Sequence, residues 1–190
     1  MIAITWTKEM LESAQAKARK LGEINNSITG GRGNLAGYLG EEAVANHIGA
    51  EIVSSHNGRE KYDYDLIKDG KRVEVKTKRR TVQPRDDYDV SVAITSEHQR
   101  PDIYIFVSLQ FERSEGQYGS KVYYGLKNIW LLGMAAPYDY FTRAKLWKKG
   151  DQDSSNGFVT HSDMYNLAIS DITPVEEAQL IWLGQAAGCG

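Results

Sequence analysis

The chain has 190 residues, 41% hydrophobic composition and a formal net charge of −2 at pH 7. This length and composition suit one folded domain over residues 1–190, and no apolar run approaches the roughly 20 residues that cross a bilayer. The N-terminal apolar stretch meets Lys8 too early for a secretory leader. The single cysteine, Cys189, excludes an internal disulfide. We therefore expect a cytoplasmic protein with no membrane partner, in which any attraction to nucleic acid is local.

Apolar residues at helical spacing predict four helices. Asn34 is a suitable N-cap for the second, and Thr173 with Glu176 has the form of a capping box that opens the fourth. The third helix has two alternative starts, at Pro137 or nearer Phe141, because proline suits either the first helical position or a turn. The expected helices cover residues 7–21, 35–47, 137–147 and 174–184.

Runs rich in β-branched and aromatic residues predict the strands. Two short runs joined by Asp69-Gly70 form a hairpin, because Asp-Gly is a strong signal for a two-residue turn. Together with the helices, the strands indicate an α/β or α+β fold, with a mixed central sheet of about five strands flanked by helices. The expected strands cover residues 50–55, 62–68, 71–78, 102–111 and 121–132, the last with room for one strand or two.

The hairpin register follows from its turn. If Asp69 and Gly70 occupy the turn, Asp65 faces Glu74 across the hairpin. Since side chains alternate with period two, Asp65, Glu74 and Lys76 project from the same side of the sheet. We therefore expect one apolar face and one charged face.

Two facing carboxylates destabilise a strand pair unless positive charge lies between them. A hard divalent cation such as Mg²⁺ or Mn²⁺ prefers carboxylate oxygens, so Asp65 and Glu74 are candidate metal ligands. Asp63 duplicates the acid and faces Lys76, which makes it a salt-bridge partner or a second ligand. The alternative is a surface hairpin whose polar face is simply solvated.

The spacing of these groups resembles a known motif. Asp65 followed by Glu74-Val75-Lys76 on the next strand is similar to the core motif of the PD-(D/E)XK nuclease superfamily, although Tyr64 stands where the motif's name has proline. The helical stretch over residues 37–43 also resembles that superfamily's first core helix, which carries a glutamate that assists metal binding. The resemblance covers less than half of the chain.

The resemblance implies a restriction-endonuclease-like core and metal-dependent hydrolysis of DNA. Asp65, Glu74 and the carbonyl of Val75 would then hold Mg²⁺ or Mn²⁺, and Lys76 would support the attacking water or the phosphate. On the helix we choose Glu41 over Glu42, because Glu41 shares the small-residue face that suits close packing on the sheet.

A basic run follows the motif. It would contact DNA phosphates without reading bases, whereas the alternative is a solvated positive face. The non-nuclease alternative is a nucleic-acid-binding domain that keeps the fold without catalysis, and RNA remains open as a substrate. The oligomeric state, a homo-oligomer included, is also open. The basic residues are Lys78, Arg79, Arg80 and Arg85.

Overall fold

The computed structural model describes residues 1–21, 32–53, 64–96, 99–115, 121–153, 157 and 159–175. Within these residues the helices are α1 (Lys8–Leu21), α2 (Arg32–Ile48) and α3 (Pro137–Arg143). None of these three helices combines the length and the apolar character needed to cross a bilayer. The strands are β1 (Ile2–Ile4), β2 (Glu51–Ile52), β3 (Leu66–Lys68), β4 (Lys71–Arg80), β5 (Asp89–Ala93), β6 (Ile103–Glu115), β7 (Lys121–Ala135), β8 (Lys145–Trp147) and β9 (Met164–Ala168).

The strands form two sheets. A six-stranded sheet has the order β1-β7-β6-β4-β3-β2. Its central pair, β4 and β6, is parallel, and its other neighbouring pairs are antiparallel. A second, antiparallel sheet has the order β5-β9-β8. The predicted mixed α/β architecture is therefore confirmed, but the prediction of about five strands missed β1 and the whole second sheet.

Each face of the six-stranded sheet covers a separate hydrophobic core. The period-two alternation along β4 directs Val73 and Val75 into the core shared with α1 and α2. Glu74 and Lys76 therefore project to the opposite side, where β6 contributes Tyr104 to the core shared with α3 and the smaller sheet. The charged groups of β4 thus lie beside an aromatic core.

Helix α2 lies close against β4 at Gly40. A Cβ atom at this glycine would collide with the Thr77 hydroxyl and would lie 3.2 Å from both Cβ and Cγ2 of Thr77. The absence of a side chain at Gly40 therefore sets the distance between helix and strand, and with it the position of the following residue, Glu41.

The predicted hairpin turn is confirmed. Asp69 and Gly70 have φ values of 49° and 74°, as a two-residue turn with both central residues in the left-handed region requires. The ladder pairs Lys68 with Lys71 and Leu66 with Val73. The predicted strand over residues 62–68 is wrong in length, because within the described residues pairing of β3 begins only at Leu66.

Two predicted helices have different bounds. Helix α2 begins at Arg32, so Asn34 lies inside the helix and is not its N-cap. Helix α3 begins at Pro137, as one of the two alternatives stated, but it ends at Arg143. Ala144 is extended, and Lys145–Trp147 pairs with β9, so sheet pairing overrides the helical spacing there. The remaining predictions on residues 22–31, 54–63 and 176–190 lie outside the described residues.

Candidate active site

The site lies where β3 stops pairing with β4. The N–H of Asp65 donates to the carbonyl oxygen of Val73 at 2.9 Å, and Oδ2 of Asp65 accepts from the N–H of Val75 at 2.8 Å. The predicted backbone pairing of Asp65 with Glu74 is therefore wrong: the Asp65 carboxylate takes the ladder position that a further β3 residue would fill. Because N–H and C=O of one strand residue point toward the same neighbour, the Val75 carbonyl also faces this gap.

Glu74 belongs to a tight polar network on the aromatic side of the sheet. It is 5% exposed. Its Oε1 accepts from Nζ of Lys76 at 2.8 Å and from Nε2 of Gln99 at 2.9 Å. Nζ of Lys76 also donates to Oε1 of Gln99 at 2.8 Å and to Oγ of Ser96 at 3.3 Å. The lysine and the glutamate are thus held in place by the loop that precedes β6.

Glu41 brings a third carboxylate from α2. Burial and the charge of Glu74 raise its pKa to about 7. Burial, followed by the charges of Glu74 and Glu41, raises the pKa of Asp65 well above its ordinary value. The charge of Glu74 thus acts on both Glu41 and Asp65, and the charge of Glu41 acts on Asp65. We refer to these three coupled carboxylates as the electrostatic cluster. Burial and the charges of Glu74 and Glu41 raise the pKa of Asp65, and each of these three effects is larger than the opposite effect of Lys76.

Glu42 has a different environment from its neighbour. It is 7% exposed, and its Oε1 accepts from Oγ of Ser13 and Nζ of Lys17, both at 2.6 Å. Both donors belong to α1. Glu42 therefore ties α1 to α2, whereas Glu41 is influenced by the charge of Glu74 on β4.

Two of the side chains predicted to contact phosphate bond to a backbone group instead. Nζ of Lys78 and a terminal nitrogen of Arg80 both donate to the carbonyl oxygen of Asp89, at 2.9 Å and 2.7 Å. Burial, followed by the charge of Arg80, lowers the pKa of Lys78 to about 8. Arg80 also lies over the ring of Tyr88, with its guanidinium carbon 4.9 Å from the centroid. These cations bind the start of β5 to β4.

The other two basic residues differ in their surroundings. Arg85 is largely exposed, forms an ion pair of 2.7 Å with Asp87, and lies 4.7 Å from the ring centroid of Tyr88. Arg79 is partly buried on the helix-facing side of β4. A phosphate contact stays a prediction for all four side chains. For Lys78 and Arg80, a phosphate contact requires that the side chain give up its hydrogen bond to the carbonyl oxygen of Asp89.

The donor set fits a hard divalent cation by its chemistry. Within the described residues, no three His, Cys, Asp or Glu side chains lie close enough to form a complete metal site. The available oxygens nevertheless belong to carboxylates and one carbonyl, which are the ligands that Mg²⁺ and Mn²⁺ prefer. Burial, and after it the charge of neighbouring carboxylates, raises the pKa of both Glu41 and Asp65. A cation would relieve the repulsion among these carboxylates.

Sequence reasoning missed three residues of this site. Ser96, the last residue of a short 3₁₀ helix, and Gln99, which precedes β6, contact Lys76 from a stretch that carries no motif. Tyr104 of β6 pairs with Glu74 in the β4-β6 ladder, and its ring centroid lies 5.9 Å from Nζ of Lys76. Only the apolar spacing of β6 could have placed Tyr104 in a core. The predicted second acid, Asp63, lies outside the described residues.

The hairpin thus carries Asp65, Glu74 and Lys76, with Glu41 electrostatically coupled to the two acids from α2, and this arrangement is the ground for a functional assignment. No protein-family model matches this sequence, and no curated protein shows significant similarity to it.

Proposed function

We propose that this protein is a nuclease that hydrolyses DNA phosphodiester bonds with Mg²⁺ or Mn²⁺. The observation that carries the proposal is the hydrogen-bonded pair of Glu74 and Lys76 on β4, next to the gap in the ladder that the Asp65 carboxylate caps. The electrostatic coupling of Glu41 with Asp65 and Glu74 supports it. These are the residues that the sequence motif singles out, and they come from the hairpin and α2.

The chain's own groups divide the work. Asp65, Glu74, the Val75 carbonyl and Glu41 would hold the cation. When bound, the cation supplies a water of lowered pKa and stabilises charge that develops on the phosphate. Lys76 would orient the attacking water or a phosphate oxygen and stabilise negative charge in the transition state by exchanging one of its three bonds to Glu74, Ser96 and Gln99.

The architecture is consistent with a restriction-endonuclease-like core, which forms part of the proposal. A mixed sheet has α1 and α2 on one face, and its β3-β4 hairpin carries the acidic residues. The polar network of Lys76 lies at the opposite face, beside Tyr104. We also propose that the protein acts in the cytoplasm.

The test is cleavage by the purified chain of supercoiled, linear, single-stranded and branched DNA, and of RNA, with Mg²⁺, Mn²⁺ or EDTA. We expect cleavage of DNA with either cation and none with EDTA. Glu74→Gln, purified in parallel, should be inactive and so excludes a contaminating nuclease. Glu12→Gln is the matched control, since Glu12 is an exposed residue of α1 that pairs with Lys8, and it should cleave normally.

Three results would contradict the proposal in distinct ways. Undiminished cleavage in EDTA would overturn the metal-dependent mechanism. Cleavage of RNA alone would change the substrate. Binding of DNA without cleavage under any of these conditions would favour the alternative of a non-catalytic nucleic-acid-binding domain.

A further inference from the structure

A cleft lies beside the polar network of the candidate active site. It has a volume of about 400 Å³ and lies between the segment that precedes β6 and the first turns of α3. This volume falls in the range of about 300–1,000 Å³ that small-molecule sites occupy. Pro101 and Pro137 stand at the two sides, and their fixed φ angles restrict how far the walls can move.

The lining combines aromatic rings with a cation. Tyr138 is 80% exposed, the most exposed of the large hydrophobic residues in the described chain. Phe141 is held by edge-on contacts with Tyr104 and Tyr140, at centroid distances of 6.1 Å and 5.5 Å. Arg100 donates to the carbonyl oxygen of Gln99 at 3.0 Å, which keeps its guanidinium at the cleft. Aromatic faces next to a cation are what proteins use to stack unpaired bases.

The cleft shares residues with the active-site network. Gln99 lines the cleft and also bonds to both Lys76 and Glu74. On the other side, Phe141 contacts Tyr104, whose ring lies near Nζ of Lys76. Gln99 therefore connects a group bound in the cleft to Lys76, the lysine that would hold the phosphate.

We propose that this cleft binds one unpaired base of the DNA strand whose phosphate lies at Lys76, with the base stacked against Tyr138 and Phe141. The inference rests on the proposed nuclease function and deepens it, because it names the substrate class. A base within continuous duplex is stacked between its neighbours and reaches a lateral pocket only after unstacking, at a cost. The substrate is therefore DNA with unpaired nucleotides, such as single strands, flaps or bulges.

The direct test measures base stacking in EDTA, where no cleavage occurs. The probe is a fluorescent adenine analogue placed unpaired in a bulged duplex, or paired in a matched continuous duplex. We expect the protein to quench the unpaired analogue and to bind the bulged DNA more tightly. Tyr138→Ala should weaken that binding by about tenfold, while Tyr138→Phe should restore it. Val159→Ala removes another exposed apolar side chain, 42% exposed and outside the cleft, and should leave it unchanged.

Equal affinity for bulged and continuous DNA, or no effect of Tyr138→Ala on a variant shown by circular dichroism to be folded, would overturn the proposal. Binding of free deoxyadenosine monophosphate without quenching in the oligonucleotide would also overturn it, since the cleft would then be a site for a free nucleotide.

Cleavage measured with Mg²⁺ on the same DNA separates this proposal from the nuclease function. Cleavage without preference for unpaired bases and without quenching removes the base pocket and leaves the nuclease. Quenching that depends on Tyr138, without any cleavage, leaves the base pocket and removes the nuclease. Neither quenching nor cleavage removes both.

Discussion

The carboxylate of Asp65 accepts a hydrogen bond from the backbone N–H of Val75 at 2.8 Å. Asp65 thereby satisfies a β4 amide that would otherwise lack a partner where β3 ends. The same gap exposes the edge of β4 that carries the Val75 carbonyl. One side chain thus closes the hairpin and supplies a carboxylate to the candidate metal site.

Replacing Asp65 separates these two roles. Asp65→Asn keeps an oxygen that can accept from Val75 but removes the charge, so we expect cleavage to fall about 100-fold or more. Stability without metal should be unchanged or higher near neutral pH, because burial and two neighbouring carboxylates disfavour the charged form. Asp65→Ala also loses the acceptor and should be less stable than Asp65→Asn by about 1–3 kcal/mol. Urea denaturation and cleavage rates measure the two effects, and equal stability of both variants would contradict the capping role.

The adjacent glutamates on α2 should give opposite results. Glu41→Gln should reduce cleavage by about 10- to 100-fold without loss of stability, because Glu41 is held near other carboxylates. Glu42→Gln should keep cleavage per folded molecule but lose on the order of 1–3 kcal/mol of stability, since it weakens the bonds to Ser13 and Lys17. Steady-state kinetics and thermal unfolding compare the pair. A larger catalytic loss in the Glu42 variant would reverse the assignment.

The stability of the metal-free protein should fall as pH rises from about 5 to about 8. Glu41 has a pKa of about 7 in the folded protein against an ordinary 4.5, so the folded state binds more protons in this window and loses stability as they leave. The stabilisation from protonated Glu41 is fully present below its ordinary pKa of 4.5 and is lost as the pH rises through its pKa of about 7 in the folded protein. We expect a decrease on the order of 1–3 kcal/mol.

Denaturation in EDTA at several pH values measures that slope. Glu41→Gln should flatten this slope, whereas Glu12→Gln, at an exposed position of α1, should not. Added Mg²⁺ or Mn²⁺ should restore stability at the alkaline end, because a ligand that binds only the folded state stabilises it. A slope that rises with pH over this window would contradict the electrostatic cluster.

The contact between Gly40 and Thr77 predicts a compensating pair of substitutions. Gly40→Ala should destabilise by about 1–3 kcal/mol through overpacking, because its Cβ would collide with the Thr77 hydroxyl. The Thr77 hydroxyl is buried and has no hydrogen-bond partner in the described structure, so Thr77→Ala should cost little. In the double variant the penalty should shrink, which a double-mutant cycle measures. Additive costs would show that the helix is not limited by this contact.

The basic residues should contribute unequally to DNA binding. Arg85→Ala should lower the salt slope of binding by about 1 if that side chain contacts a phosphate, since it is 65% exposed. Lys78→Met should leave the slope unchanged, because its ammonium is buried against the carbonyl of Asp89. Binding titrations at several salt concentrations distinguish the two, and a reduced slope for Lys78→Met would mean that this lysine leaves Asp89 to meet the DNA.

The hairpin is the part of the site that the sequence determines by itself. The Asp69-Gly70 turn and the alternation along β4 are local properties, and they correctly predict the ladder from Lys68/Lys71 to Leu66/Val73. The order of acid, glutamate and lysine is also a local pattern. These features can be predicted from the sequence because turn geometry and side-chain alternation depend on neighbouring residues alone.

Only the tertiary structure decides what surrounds the hairpin. The ladder ends one residue before the predicted Asp65/Glu74 pair, because the Asp65 side chain itself bonds to Val75. Packing of α1 separates Glu42 from Glu41, and the loop before β6 brings Gln99 to Lys76. Burial of Lys78 likewise depends on where β5 lies. The contacts of Glu42 and Gln99 join residues distant in the chain. The burial and charge that shift the pKa values of Glu41, Asp65 and Lys78 likewise arise only when the elements pack together.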